Sequence, residues 1–395
     1  MLVDDLLKRG GCLLAVQFVY LGILVLIGCI VLSLRRKAGG TKTGYKLVLL
    51  LLGALLGIIG KENTVLSFEP GFLANASVFL LIILMFELSV RLNHENLVMD
   101  YRNVGMFFAI LVTNILILGV LSTYLLNITP IHAAILAIIL SSVEYFLVDA
   151  LKGEGDLANP LIILFAVTIM VYYGLQGDVF ENTIYLLQYM FIGLATGVFM
   201  GIIIFRLLRY RQASVANELG MIALVCLTYI VTDQLHGSGL FAVMIIGIFF
   251  GNSHVRKTSS MHGFSGTIFK SLEMMIYLLV GFVAVLNFKG DLWWKSLAIF
   301  AAYLLLRFII ISIYYRHYSI KNKLLLSFAP KGMILGSLIL VFGSYAVVES
   351  NLVNAMLFIL AYSLLFGLAV EHVEQERTIR LHKYELVGSR LQRIR

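Results

Sequence analysis

The stretch "AILAIILSSVEYFLVDALKGEGD", residues 134–156, decides how the chain is read. It runs apolar like a helix in lipid, yet Glu144 stands between Val143 and Tyr145, well before the polar turn that begins at Lys152. A carboxylate at such a depth is costly, so it marks a functional position unless a structural role explains it. Glu144 is about five residues, roughly 8 Å, from the end of its run, too deep for a short side chain to reach bulk water unaided. It requires a partner or a water-filled cavity.

Composition agrees with the membrane reading. The chain has 395 residues, 60% of them hydrophobic and only 13% charged, which leaves too little polar surface for a soluble domain. Apolar runs of about 17–25 residues match a hydrocarbon core of roughly 30 Å at 1.5 Å per helical residue. The ten-residue alternation of a β-barrel is absent. The fold class is therefore an all-α integral membrane protein. About thirteen spans are expected, at 11–34, 44–60, 71–92, 104–126, 131–149, 157–175, 183–205, 216–234, 237–251, 264–287, 292–315, 325–347 and 353–370. The eighth and ninth are divided only by His236-Gly237-Ser238-Gly239. The first run is too long for a signal-peptide core and leads straight into basic residues, so it is expected to remain as a span.

Lysine and arginine fall in alternate loops. Arg35, Arg36, Lys37, Lys42 and Lys46 follow span 1, Arg209 and Arg211 follow span 7, Arg256 and Lys257 follow span 9, and Arg316, Lys321 and Lys323 follow span 11. These loops and the basic tail, 371–395, are expected in the cytoplasm, with the N-terminus outside, in a multi-pass cell-membrane protein. The net charge of +8 then reflects attraction to anionic membrane lipid, not nucleic acid. In the tail, Leu381, Tyr384, Val387, Leu391 and Ile394 have near-helical spacing; this fits a helix lying along the membrane surface, with a solvated tail as the alternative. Cys12, Cys29 and Cys226 form no paired framework, and the eight histidines are too scattered for a metal cluster. No enzyme motif, cofactor or metal site is expected.

Among the ionisable residues within spans, Glu87, Glu144, Glu218, Asp233, Glu273, Arg307 and Lys331 are the functional candidates by position. Glu87 has Arg91 one turn later and Glu273 has Lys270 three residues earlier, so both read as structural acids paired along their own helices. Glu218 and Asp233 lie near span ends. Arg307 is flanked by apolar residues on both sides, and Lys331 sits in a helix-breaking Pro330-Lys331-Gly332 triplet whose freed carbonyls a lysine would neutralise.

The order of these features resembles the monovalent cation:proton antiporters, in particular their sodium/proton exchanger branch. Span 3 ends "LLIILMFELSVRLNHENL", similar to that family's Phe-Glu-x-Gly-Leu segment. Gly237 through Asn252 resembles its Leu-Ser-Gly-x-x-Ala-x-x-x-x-Gly-x-x-x-Gly-Asn hairpin, and "FKSLEMMIYLLVGF" places Glu273 on its span-10 glutamate. Arg307 falls where the family keeps a buried arginine, and "APKGMILGSLIL" resembles its Leu-Arg-Gly-Ala motif with Lys331 for the arginine. The resemblance implies an inverted-repeat antiporter fold within residues 1–370, with spans 5 and 12 as broken crossing helices. It implies a core of 104–175 and 292–370, a dimerisation domain of 11–92 and 216–287, a linker at 183–205, and a homodimer exchanging a monovalent cation and protons.

The departures bear on chemistry. The family's Thr-Asp-Pro aligns with Ser142-Val143-Glu144, so its aspartate is a valine here. Its Gly-Glu-Ser falls on Ile163-Leu164-Phe165 and its Asn-Asp pair, which holds the ion, on Thr168-Ile169. A carrier needs an acid whose protonated and ion-bound forms compete, which Val, Ile and Thr do not provide. Glu144 therefore has two readings. It is a relocated carrier with Ser141, Ser142 and Thr168 as neutral oxygen ligands, or a fixed counter-ion to the core charges Arg307 and Lys331. Three functions are open: a sodium or potassium/proton antiporter of divergent site chemistry, an antiporter-fold carrier of another solute, anions included, and a transport-inactive sensor or scaffold.

Overall fold

The computed structural model describes residues 42–62, 70–90, 92, 101–142, 158–174, 179–209, 215–252, 261–287, 290–316, 320–327, 332–344 and 348–392. The first expected span, Glu144, Arg91 and Lys331 lie outside them, as do the side chains of Glu218 and of the tail beyond His372. Among the described residues every regular element is helical. This is what a bilayer requires, because a lipid-exposed backbone has to satisfy its hydrogen bonds within the segment.

In chain order the helices are α1 Lys42–Glu62, α2 Pro70–Val90, α3 Tyr101–Thr113, α4 Gly119–Leu126, α5 Pro130–Leu140, α6 Ala158–Gly174 and α7 Val179–Arg209. They continue with α8 Val215–Gln234, α9 Gly239–Gly251, α10 Met261–Asn287, α11 Trp293–Tyr314, α12 Ile320–Ser327, α13 Met333–Ser344 and α14 Ser350–Gln392. A π-helical turn, Asn114–Leu118, joins α3 to α4 within the fourth expected span.

Two elements differ from expectation. The last span and the tail form one helix of 43 residues, α14, where two separate elements were expected. Its sequence holds no proline, and the mixed charges beyond the apolar stretch are good helix formers, so nothing in it stops the helix at the end of the span. The fourth span, read as one regular helix, contains the π turn.

One apolar cluster runs through α1, α2, α5, α6, α8 to α11, α13 and α14. Small residues let its helices approach closely. A Cβ at Gly251 would stand 2.3 Å from the Val90 carbonyl oxygen, and one at Gly247 would stand 2.5 Å from Cβ of Ser89, so α9 lies directly on the backbone of α2. Asn252, which ends the same motif, donates from Nδ2 to the Leu92 carbonyl at 3.1 Å. The bend between α8 and α9 uses His236 in the left-handed region, with φ 56°, and Ser238 caps α9 by accepting from the Phe241 amide. By contrast, α7 exposes Phe180, Phe191 and Phe199, as a helix facing lipid does.

Candidate ion site

The site is built around the C-terminal end of α5. This helix has 11 residues, about 16 Å, roughly half of a hydrocarbon core. It begins well, with Pro130 in its first turn, and ends at Ser141, which takes the C-cap position. The Ser141 amide donates to the Ile138 carbonyl at 2.9 Å and the Ser142 amide to Ile139 at 3.1 Å, the tightened bonding of a terminating turn. Ser141 and Ser142 are both buried. A helix ending inside the protein turns the negative end of its dipole inward.

Against this end lies the π turn. The Gly119 amide donates to the Asn114 carbonyl five residues earlier, which accommodates one extra residue in the turn. The Asn114 side chain is fully buried, and its Nδ2 donates to Ser141 Oγ at 3.0 Å. Helix α11 packs on α3, on the π turn and on α4, and brings Arg307 into the interior at 2% exposure. Its guanidinium donates from one terminal nitrogen to the Tyr303 hydroxyl, one helical turn earlier, and lies 5.8 Å from the centre of that ring. Among the described residues Arg307 Nε has no hydrogen-bond partner. A buried guanidinium costs several kcal/mol unless compensated, so its environment has to supply negative charge.

Thr168 lies half-buried on α6, which packs along α5. At the positions expected to align with Gly-Glu-Ser, Ile163 and Leu164 are buried and Phe165 is exposed. The structure therefore brings Ser141 and Ser142 to the buried end of α5 and Arg307 into a helix touching the π turn, while Glu144 and Lys331 lie outside the described residues. Sequence reasoning missed Asn114 and Tyr303. The first is an amide in an apolar span and the second stands at i−4 from Arg307, so both signals were present but looked like ordinary membrane-helix residues.

One of the two structural acids, Glu273, has a partner other than the Lys270 expected along its own helix. Glu273 reaches across to α1, where Lys46 Nζ stands 2.7 Å from Oε1 and the Tyr45 hydroxyl donates to Oε2, while Lys270 is exposed. Glu87 is buried. Two acids that the sequence did not single out also join distant segments. Glu371 accepts from the Thr43 amide at 2.8 Å, capping α1. Glu349 accepts from the Thr129 amide at 3.0 Å and stands 3.1 Å from Nδ1 of buried His132, fastening the start of α5 to the start of α14.

Comparison with known proteins adds to this geometry. The model of the family described as "Sodium/hydrogen exchanger, transmembrane" matches residues 22–373. Among solved structures, that of the sodium proton antiporter MjNhaP1 from Methanocaldococcus jannaschii at pH 8 is similar, with a TM-score of 0.68 and 16% identity over 90% of this chain and 98% of that one. No curated protein matches the sequence.

Proposed function

The chain belongs to the sodium/hydrogen exchanger family, whose members are transporters and not enzymes, and from this premise we propose that it exchanges a monovalent cation, Na⁺ or K⁺, for protons across the membrane. The observation that carries the reading is the family match over residues 22–373. The buried polar groups gathered at the end of α5, Asn114, Ser141 and Ser142, support it.

In this reading Glu144, two residues beyond the buried Ser142, is the group that holds H⁺ and the cation in alternation. Ser141, Ser142 and Thr168 offer neutral oxygens, which suit hard monovalent cations. Arg307 and Lys331 balance the negative charge when the carboxylate is ionised, and Glu87 and Glu273 hold helices together. Residues 104–175 and 292–370 move as a body against 11–92 and 216–287 of a homodimer, joined by 183–205. Membrane lipid engages the basic loops, with the N-terminus outside and the C-terminal tail in the cytoplasm.

The test is proton flux in proteoliposomes holding a pH gradient. Addition of Na⁺, K⁺ or Li⁺ should dissipate the gradient for the wild type, and Glu144→Gln should abolish the effect. A wild type without cation-dependent flux ends the antiport reading. Flux that survives Glu144→Gln removes Glu144 as the carrier, and destabilisation by Arg307→Ala with rescue by Glu144→Ala would make it a fixed counter-ion.

A further inference from the structure

The geometry points to Asn114 as a ligand: we infer that its Oδ1 binds the transported monovalent cation against the buried end of α5, an amide oxygen taking over part of the coordination lost with the span-6 carboxylate. The ligand class rests on the antiport reading above; the location rests on the following observations.

The orientation of the amide is determined by its neighbour. Ser141 Oγ donates its proton to the Ala137 carbonyl at 2.9 Å, so towards Asn114, 3.0 Å away, it acts as an acceptor. The group of Asn114 facing it is therefore the NH₂, and Oδ1 points elsewhere. Asn114 is fully buried, and among the described residues Oδ1 has no hydrogen-bond partner. An acceptor buried without a donor costs about 1–3 kcal/mol, a cost a packed apolar span has no reason to carry when Leu would fill the same space. Oδ1 is an acceptor with two lone pairs, so it is completed by a donor or by a cation.

The surroundings favour a cation. The turn carrying Asn114 is π-helical, a distortion that itself weakens the helix and is frequent at functional sites. It packs against the end of α5, whose dipole presents partial negative charge there, and helix C-terminal ends and unwound carbonyls are how membrane carriers hold Na⁺. Arg307, on the helix packed against the same turn, opposes a cation. Occupancy therefore depends on the negative charge that the buried guanidinium itself requires. Neutral oxygens from Asn114, Ser141 and Ser142 then set the size of the site.

The experiment measures binding separately from transport. The purified full-length protein is melted in detergent with NaCl, KCl or LiCl against choline chloride at constant ionic strength. At least one cation should raise the wild-type melting temperature saturably. Asn114→Ala should raise the half-saturating concentration at least tenfold, and Asn114→Asp, which keeps the shape and adds charge, should lower it. No stabilisation of the wild type by any of the three salts overturns the inference. So does an unchanged half-saturating concentration in Asn114→Ala, which would mean that water completes Oδ1. If Asn114→Ala does not fold, Asn114→Asp decides, and an unchanged value there overturns the inference as well. Proteoliposome flux distinguishes the two readings. Flux with Asn114-independent saturation overturns only the role of Asn114, and Asn114-dependent stabilisation without flux overturns only antiport.

Discussion

Arg307 carries a permanent charge at 2% exposure, and the Tyr303 hydroxyl is one of the groups that make this tolerable. The pair sits at i and i+4 on α11, so the ring lies beneath the guanidinium while the hydroxyl accepts from it. Tyr303→Phe keeps the ring and removes the acceptor. It should lower stability by about 1–3 kcal/mol, the cost of leaving a buried donor unmet, seen as a lower melting temperature in detergent. An unchanged melting temperature would show that the hydroxyl contributes nothing to holding the charge. At this scale the sequence was legible where a residue was conspicuous by charge, as with Arg307 and Glu273. Asn114 and Tyr303 escaped notice because an amide or a phenol in an apolar span is unremarkable until its neighbours are known.

The helices were legible as apolar lengths, but how tightly they pack was not. A stretch such as Gly239–Gly251 is read easily as a short hydrophobic helix; that its glycine face lies on the backbone of α2 depends on a segment some 160 residues earlier, as the Asn252–Leu92 bond shows. Gly251→Ala would put a methyl group 2.3 Å from the Val90 carbonyl oxygen and force α9 away from α2, costing about 1–3 kcal/mol. Gly220→Ala on α8 meets open space and should instead stabilise by up to about 1 kcal/mol, through lower chain entropy in the unfolded state. Thermal melting of the two variants in the same detergent checks the contrast, and equal effects would refute close helix contact as the reason for the glycine. The π turn after α3 belongs to this scale too. No composition signal marks it, because its extra residue is accommodated by α5 and α11 packing around it.

Over the whole molecule, charge in the loops predicts the orientation, and α11 offers a direct test because both of its ends are exposed, at Asp291 and Arg316. With Cys12, Cys29 and Cys226 replaced, Asp291→Cys should react with a membrane-impermeant maleimide in intact cells, and Arg316→Cys only after permeabilisation. The opposite pattern would reverse the topology. The sequence by itself determined that this is an all-helical membrane protein of the exchanger family. Hydrophobic length is a local property, and lipid leaves a spanning backbone little choice but to bond to itself within each segment. The tertiary structure decided which polar groups meet. Tyr45 and Lys46 join Glu273 across 228 residues or nearly so, His132 joins Glu349 across 217, and Asn114 meets Ser141 at a helix end. These contacts link segments far apart in the chain, and their energy exists only once the apolar helices have packed, so no local pattern of residues foretells them.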